Sequence, residues 1–145
     1  MNRFETFTIL IAKISRCIKK IKAKEMGKLN LKTPHVSCLY YLHKQDGSMT
    51  AKELCDMCDE DKAAISRSID YLEKHGFIAC ESKFEKRYRS PLFLTEKGKK
   101  AGEYIVKKVD GILDDASKGL TDGDRKVLYK SLFIISDNLL KLSET

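Results

Sequence analysis

The sequence predicts a mainly α-helical chain with one small β-hairpin, and three observations carry that prediction. Helix start signals recur along the chain, in Thr33 with Pro34, Thr50 with Glu53, Asp61, Thr95 and Thr121. Between them apolar residues return every three or four positions, the period of one helical face. Only "FIACES" and "YRSPLFLT", on either side of the polar "KFEKR", read as strands.

Taken in order, the first element is a long helix. Phe4, Phe7, Ile11, Ile14, Ile18 and Ile21 alternate spacings of three and four, the rhythm of a heptad seam. Thr33 as N-cap and Pro34 as first helical residue open a second helix through "HVSCLYYLHK", ended by a turn at Asp46 and Gly47. Thr50 and Glu53 form a capping box at the head of the short helix "TAKELCDMC". A tight turn at Asp59, a residue that tolerates the left-handed conformation, leads to Asp61 as N-cap of a third helix that Gly76 terminates. The hairpin follows, and Pro91, which cannot donate to a ladder, places its second strand at an edge. Thr95 opens a helix reaching roughly to Lys118, and Thr121 caps the last, whose seam is Leu128, Leu132, Ile135, Leu139 and Leu142.

Length and charge narrow the function classes. A chain of 145 residues fits one functional unit. With 28 Lys and Arg against 21 Asp and Glu its net charge is +7, which favours an acidic partner such as nucleic acid. The purely apolar runs, residues 9–12 and 132–135, are too short to span a bilayer, and Lys13 interrupts any signal-peptide core, so a soluble cytoplasmic protein with no membrane partner is expected. Five cysteines, an odd number without dense spacing, point to reduced thiols. No Gly-rich phosphate loop or acid–base motif is present, and His35, His43 and His75 sit in ordinary helical positions, so no enzyme and no cofactor are expected.

The third helix raises the functional question. Ile65, Ile69 and Leu72 form its apolar stripe, while its leading face combines Ala63 and Ala64 with Lys62, Ser66 and Arg67. A merely solvated face favours long charged side chains; small residues let something approach closely. The order helix, short helix, turn, helix is that of a helix-turn-helix, in which the second helix enters the major groove and the first crosses the backbone. Ala63 and Ala64 can touch thymine methyls, Ser66 can donate or accept, Arg67 can reach a guanine or a phosphate, and Lys62 a phosphate. Thr50, at the start of the short helix, joins this double-stranded DNA-binding set. Residues 82–100 hold seven Lys and Arg against Glu85 and Glu96; Lys86, Arg87 and Arg89 give the hairpin the character of a wing that meets phosphates or a minor groove. Eight positive residues in 13–32, with Glu25 the one acidic residue, read instead as a solvated helix face.

Both terminal helices carry apolar residues outside their seams, among them Ile9, Leu10, Phe133, Ile134 and Leu140, more than one neighbour would cover. The expectation is a homodimer in which residues 1–32 and 96–145 form a helical dimerisation region around a DNA-binding lobe at 33–95. The alternative is an intramolecular bundle with a wide apolar face.

"ISRSIDYLEKHGFI" and "LFLTEKG", within an element order that covers nearly the whole chain, resemble the MarR family of winged helix-turn-helix regulators, the first as recognition helix and exit, the second as the end of the wing. The resemblance implies a dimer with interlocked N- and C-terminal helices, recognition helices in successive major grooves of a pseudo-palindromic operator, and repression relieved by a small-molecule inducer, whose identity no residue names, or by oxidation. An Asp that often braces a wing arginine in that family is absent from "FEKRYRS"; Glu85 stands nearby, and whether Arg87 or Arg89 enters the groove is open.

For sensing, the resemblance puts His35, Tyr40 and Tyr41 on the helix that would line a ligand pocket, although aromatic stripes at this spacing commonly serve the core. Cys17, beside Arg16 and Lys19, is the redox candidate, though it does not match the position of the reactive cysteine in peroxide-sensing relatives. His35 with Cys38, and Cys55 with Cys58, have zinc-type composition, but such spacing on helices is weak and no metal is expected. A redox-sensing regulator and a winged-helix protein–protein module are the alternative functions.

Overall fold

The computed structural model describes residues 2–45, 48–58, 60–80 and 90–145. A π-type stretch, Glu5–Leu10, winds directly into α1 (Ile11–Met26), and a 3-10 turn at Gly27–Leu29 ends at Asn30, in the left-handed conformation at φ 57°. Then come α2 (Thr33–Lys44), α3 (Ala51–Cys58), α4 (Lys62–Lys74), strands β1 (Ile78–Cys80) and β2 (Leu92–Leu94), α5 (Glu96–Ala116) and α6 (Asp122–Ser143). The expected architecture, mostly helical with one small antiparallel strand pair, is found. The chain divides into two compact units, Met1–Val109 and Asp110–Thr145.

The caps act largely where the local signals put them. The Thr50 hydroxyl accepts from the Glu53 N–H at 3.2 Å, and Asp61 from the Ala64 N–H at 2.7 Å. Thr121 and Asp124 exchange bonds of 3.0 and 3.1 Å, and these hold the Asp124 carboxyl below its ordinary value. The opening of α2 differs by one position. Lys32, not Thr33, is the extended cap residue, because the His35 ring reaches back and its Nδ1 accepts the Lys32 N–H at 3.1 Å. Gly76, at φ 78°, ends the α4 segment as expected. The Asp46–Gly47 turn and Asp59 lie outside the described residues.

In the first unit one core is assembled from α1 to α5 and the strands. Leu39, Leu54, Ile65, Leu72 and Ile105 are fully buried there, with Met26, Leu42 and Leu92 nearly so. The strands pair Ile78 with Leu94, Ala79 with Phe93 and Cys80 with Leu92. Among the described residues Phe77, Ser90, Pro91 and Thr95 fall outside the strands, and β2 is not a simple edge. Met49 bridges Leu92 from outside the named strands, giving and receiving bonds of 3.3 and 2.8 Å. Pro91 stands just before the first paired residue, where its missing N–H costs no ladder bond. In the second unit α6 has no buried residue, and Phe133, Leu139, Leu140 and Leu142 are all exposed.

Candidate nucleic-acid interface

The side chains of α4 sort cleanly by face. Ile65, Ser68, Ile69 and Leu72 are buried, whereas Lys62, Ala63, Ser66, Arg67 and Asp70 are exposed and Ala64 is half-buried. The periodicity therefore puts the small and basic residues of the first two turns on one accessible surface, over an apolar base seated in the core. Thr50 is half-buried and its hydroxyl serves the α3 cap. Lys86, Arg87 and Arg89, with Glu85, lie outside the described residues.

What holds α4 at its far end is the stretch "LFLTEKG". Thr95 gives its hydroxyl proton to the carbonyls of Gly76 and Phe77, and the same oxygen accepts from the Gly98 N–H at 3.1 Å, capping α5. Lys97 donates to the His75 carbonyl at 2.7 Å and lies 4.4 Å from the centre of the Phe77 ring. Gly98 has no alternative: a Cβ there would overlap the Phe77 carbonyl oxygen. Gly102 one turn on meets His43, whose Cβ would lie 2.8 Å from an added Cβ. These contacts tie the end of α4 to the start of α5.

The sensing candidates fall into different surroundings. His35 is buried and stacks on Tyr71, with ring centres 4.1 Å apart and an interplanar angle of 4°; Tyr71 in turn meets His75 at 4.1 Å. Burial, then the charges of Lys32 and His75, lower the His35 pKa from its ordinary value, and the accepted Lys32 N–H fits the neutral ring. Tyr40 and Tyr41 are half-buried and meet edge to face at 5.3 Å. A cleft of about 420 Å³ is lined instead by Leu29, Asn30, Tyr71, His75, Lys100 and Tyr104, with Phe77 and Lys97 completing its wall. Tyr71 anchors one side by donating to the Asn30 carbonyl at 2.7 Å. Sequence spacing could not point to this cleft, because its residues come from α4, α5 and the turn after α1.

Cys17 is exposed. Cys38 is completely buried, and Cys55 and Cys58, both half-buried, pack against the same core. His35, the fourth member of the zinc-type set, is engaged with Lys32 and Tyr71. Among the described residues no group of three or more His, Cys, Asp or Glu is arranged to hold a metal ion, and no helix is long and apolar enough to cross a membrane.

Comparison with known proteins agrees with this geometry. Residues 29–87 match the model of the MarR family. The uncharacterized HTH-type transcriptional regulator YybA of Bacillus subtilis (strain 168) is 26% identical over 129 residues, spanning 89% of this chain and 85% of that protein. The crystal structure of MarR is similar with a TM-score of 0.78 and 27% identity, over 98% of this chain and 96% of that one. A MarR-type regulator from Listeria monocytogenes, solved in complex with a 26mer DNA, is similar with a TM-score of 0.79 and 27% identity, over 89% and 85% of the two chains. Fold, recognition-helix pattern and relatives converge on one likeness: the chain resembles the MarR family of winged helix-turn-helix transcriptional regulators, whose model residues 29–87 match.

Proposed function

We propose that this chain is a cytoplasmic, homodimeric repressor that binds a pseudo-palindromic operator and releases it in response to a small molecule. The single observation that carries the reading is the leading face of α4, where Ala63, Ser66 and Arg67 are exposed above a buried stripe. In this reading Lys62, Ala63, Ala64, Ser66 and Arg67 enter the major groove, Thr50 approaches a phosphate, and Lys86, Arg87 and Arg89 extend along the adjacent backbone or minor groove. The DNA-complexed Listeria relative supports the choice of DNA as partner.

Residues 33–95 act as the DNA-binding lobe, and residues 1–32 and 96–145 bring two copies together. Support comes from apolar side chains that the single chain leaves exposed at both ends, including Phe4, Phe7 and Ile14 near the start and Phe133, Leu139 and Leu142 near the finish. The inducer site is the cleft beneath Tyr71 and Tyr104, whose volume suits a small ligand and whose lysines favour an anion. This places ligand sensing one helix away from Tyr40 and Tyr41.

Selection of bound fragments from a random duplex pool, followed by affinity measurements across salt concentration, tests the reading. A two-fold related consensus, and an affinity falling steeply as salt rises through phosphate counterion release, are expected. Affinity indifferent to both sequence and salt would refute it.

A further inference from the structure

Helix α4 has a second set of contacts, away from both its leading face and the start of α5. Tyr71, in its third turn, donates its hydroxyl proton to the Asn30 carbonyl at 2.7 Å, across 41 positions of sequence. Its ring stacks on His35 of α2, with centres 4.1 Å apart and planes 4° from parallel, and meets His75 at the same distance with a tilt of 34°. The groups it leans on are themselves fixed. Asn30 closes the turn after α1 in the left-handed conformation, its N–H donates to the Gly27 carbonyl at 3.1 Å, and Met26 and Leu31 nearby are buried. The His35 ring is held by the Lys32 N–H at its Nδ1.

We propose that Tyr71 is a positioning residue for sequence recognition: its hydroxyl and ring tether α4 to the segment joining α1 and α2, and so fix the spacing at which two copies accept their half-sites. The inference rests on the DNA-binding and homodimer reading above.

The physical need for such a tether follows from how α4 is seated. Ile65, Ile69 and Leu72 settle its depth in the core, but apolar burial has no direction of its own. A hydrogen bond to a fixed carbonyl and a parallel ring face do have direction, and they resist tilting and rolling. Arg67 stands one turn before Tyr71 and Lys62 nine residues before it, about 13 Å along the axis. A tilt of about 10° at Tyr71 therefore moves the leading turn by about 2 Å, a large part of the base-pair rise of about 3.4 Å. In a two-fold dimer that displacement enters twice, and half-site spacing is the quantity it changes.

The test compares the full-length parent with Tyr71→Phe, which keeps the ring and removes the one donor. Both are titrated with duplexes whose half-sites stand at the selected spacing, one base pair closer, or one base pair farther apart. The parent should bind either displaced duplex about tenfold more weakly than the selected one. Tyr71→Phe should bind the selected duplex about fivefold more weakly than the parent does, and its own penalty for displacement should shrink to about threefold. Arg67→Ala provides the contrast, weakening all three duplexes by one factor. A Tyr71→Phe profile parallel to the parent's, at equal or uniformly reduced affinity, would overturn the proposal, as would a parent indifferent to spacing. A second readout needs no DNA: amide hydrogen exchange in α4 should quicken in Tyr71→Phe while that in α5 keeps the parent's rate, and unchanged exchange in α4 would overturn the tether. Parent protein that binds no duplex would refute the DNA-binding reading, and the exchange comparison would still decide whether Tyr71 holds α4.

Discussion

Helices α4 and α6 are built from similar instructions and meet different fates. Each has an extended N-cap residue whose side chain accepts from the third N–H of the helix, and each carries recurrent apolar residues. Yet α4 buries Ile65, Ile69 and Leu72 in a core made by its own lobe, whereas α6, of 22 residues, buries none, and Phe133 remains 73% exposed. A helix whose apolar face is covered within its own chain can present its other face as a rigid reading head. One whose apolar face is not covered is asking for a partner, since large contiguous apolar surface is unusual on a monomer.

The sharpest way to break that comparison is to put a charge on the uncovered helix. Leu139→Glu should convert a dimer into monomer at micromolar concentration in analytical ultracentrifugation and abolish tight operator binding, while leaving the first unit folded by circular dichroism. Wild-type protein sedimenting as a monomer would remove the dimer altogether. On the reading head, Arg67→Ala should weaken operator affinity by about tenfold, within the roughly 1–3 kcal/mol expected for a base contact, with no change in sedimentation.

Smaller effects address the seat of α4. Gly98→Ala pushes a methyl into the Phe77 carbonyl and should cost about 1–3 kcal/mol in urea unfolding, whereas Gly111→Ala in the same helix, with open space around it, should be neutral or slightly stabilising. Equal effects of the two would show that α5 is not pressed against the end of α4. The smallest effect concerns His35. Its folded pKa is lowered from 6.5, so the unfolded chain takes up a proton first; the stability contributed by the neutral ring is complete above that value and is lost as pH falls below it. Melting temperature should therefore drop between pH 7.5 and 5.5, and His35→Gln should flatten that part of the profile.

Legibility in the sequence followed the distance over which each interaction acts. Asp61, Thr95 and Thr121 could be assigned as caps because a side chain and an N–H three residues away settle the matter locally. Lys32 displaced Thr33 because a histidine ring can imitate that reach, a choice between neighbours that composition does not decide. The exposed face of α4 was equally readable, since 3.6-residue periodicity maps position to face. Tyr71 and Tyr104 were missed as cleft residues, although the aromatic character of both was visible; they stand 33 residues apart and meet around one opening only through packing of α4 and α5.

By itself, then, the order of residues determined the helices, their caps, the inward and outward faces of α4 and the excess apolar surface at both ends, all consequences of short-range bonding and of a regular period. Tertiary structure alone decided that Met49 flanks β2, that glycine is required at 98, and that His35 stacks on Tyr71. Those outcomes depend on which side chains far apart in the chain fill the same space, and close packing in a core settles that only when every element is in place.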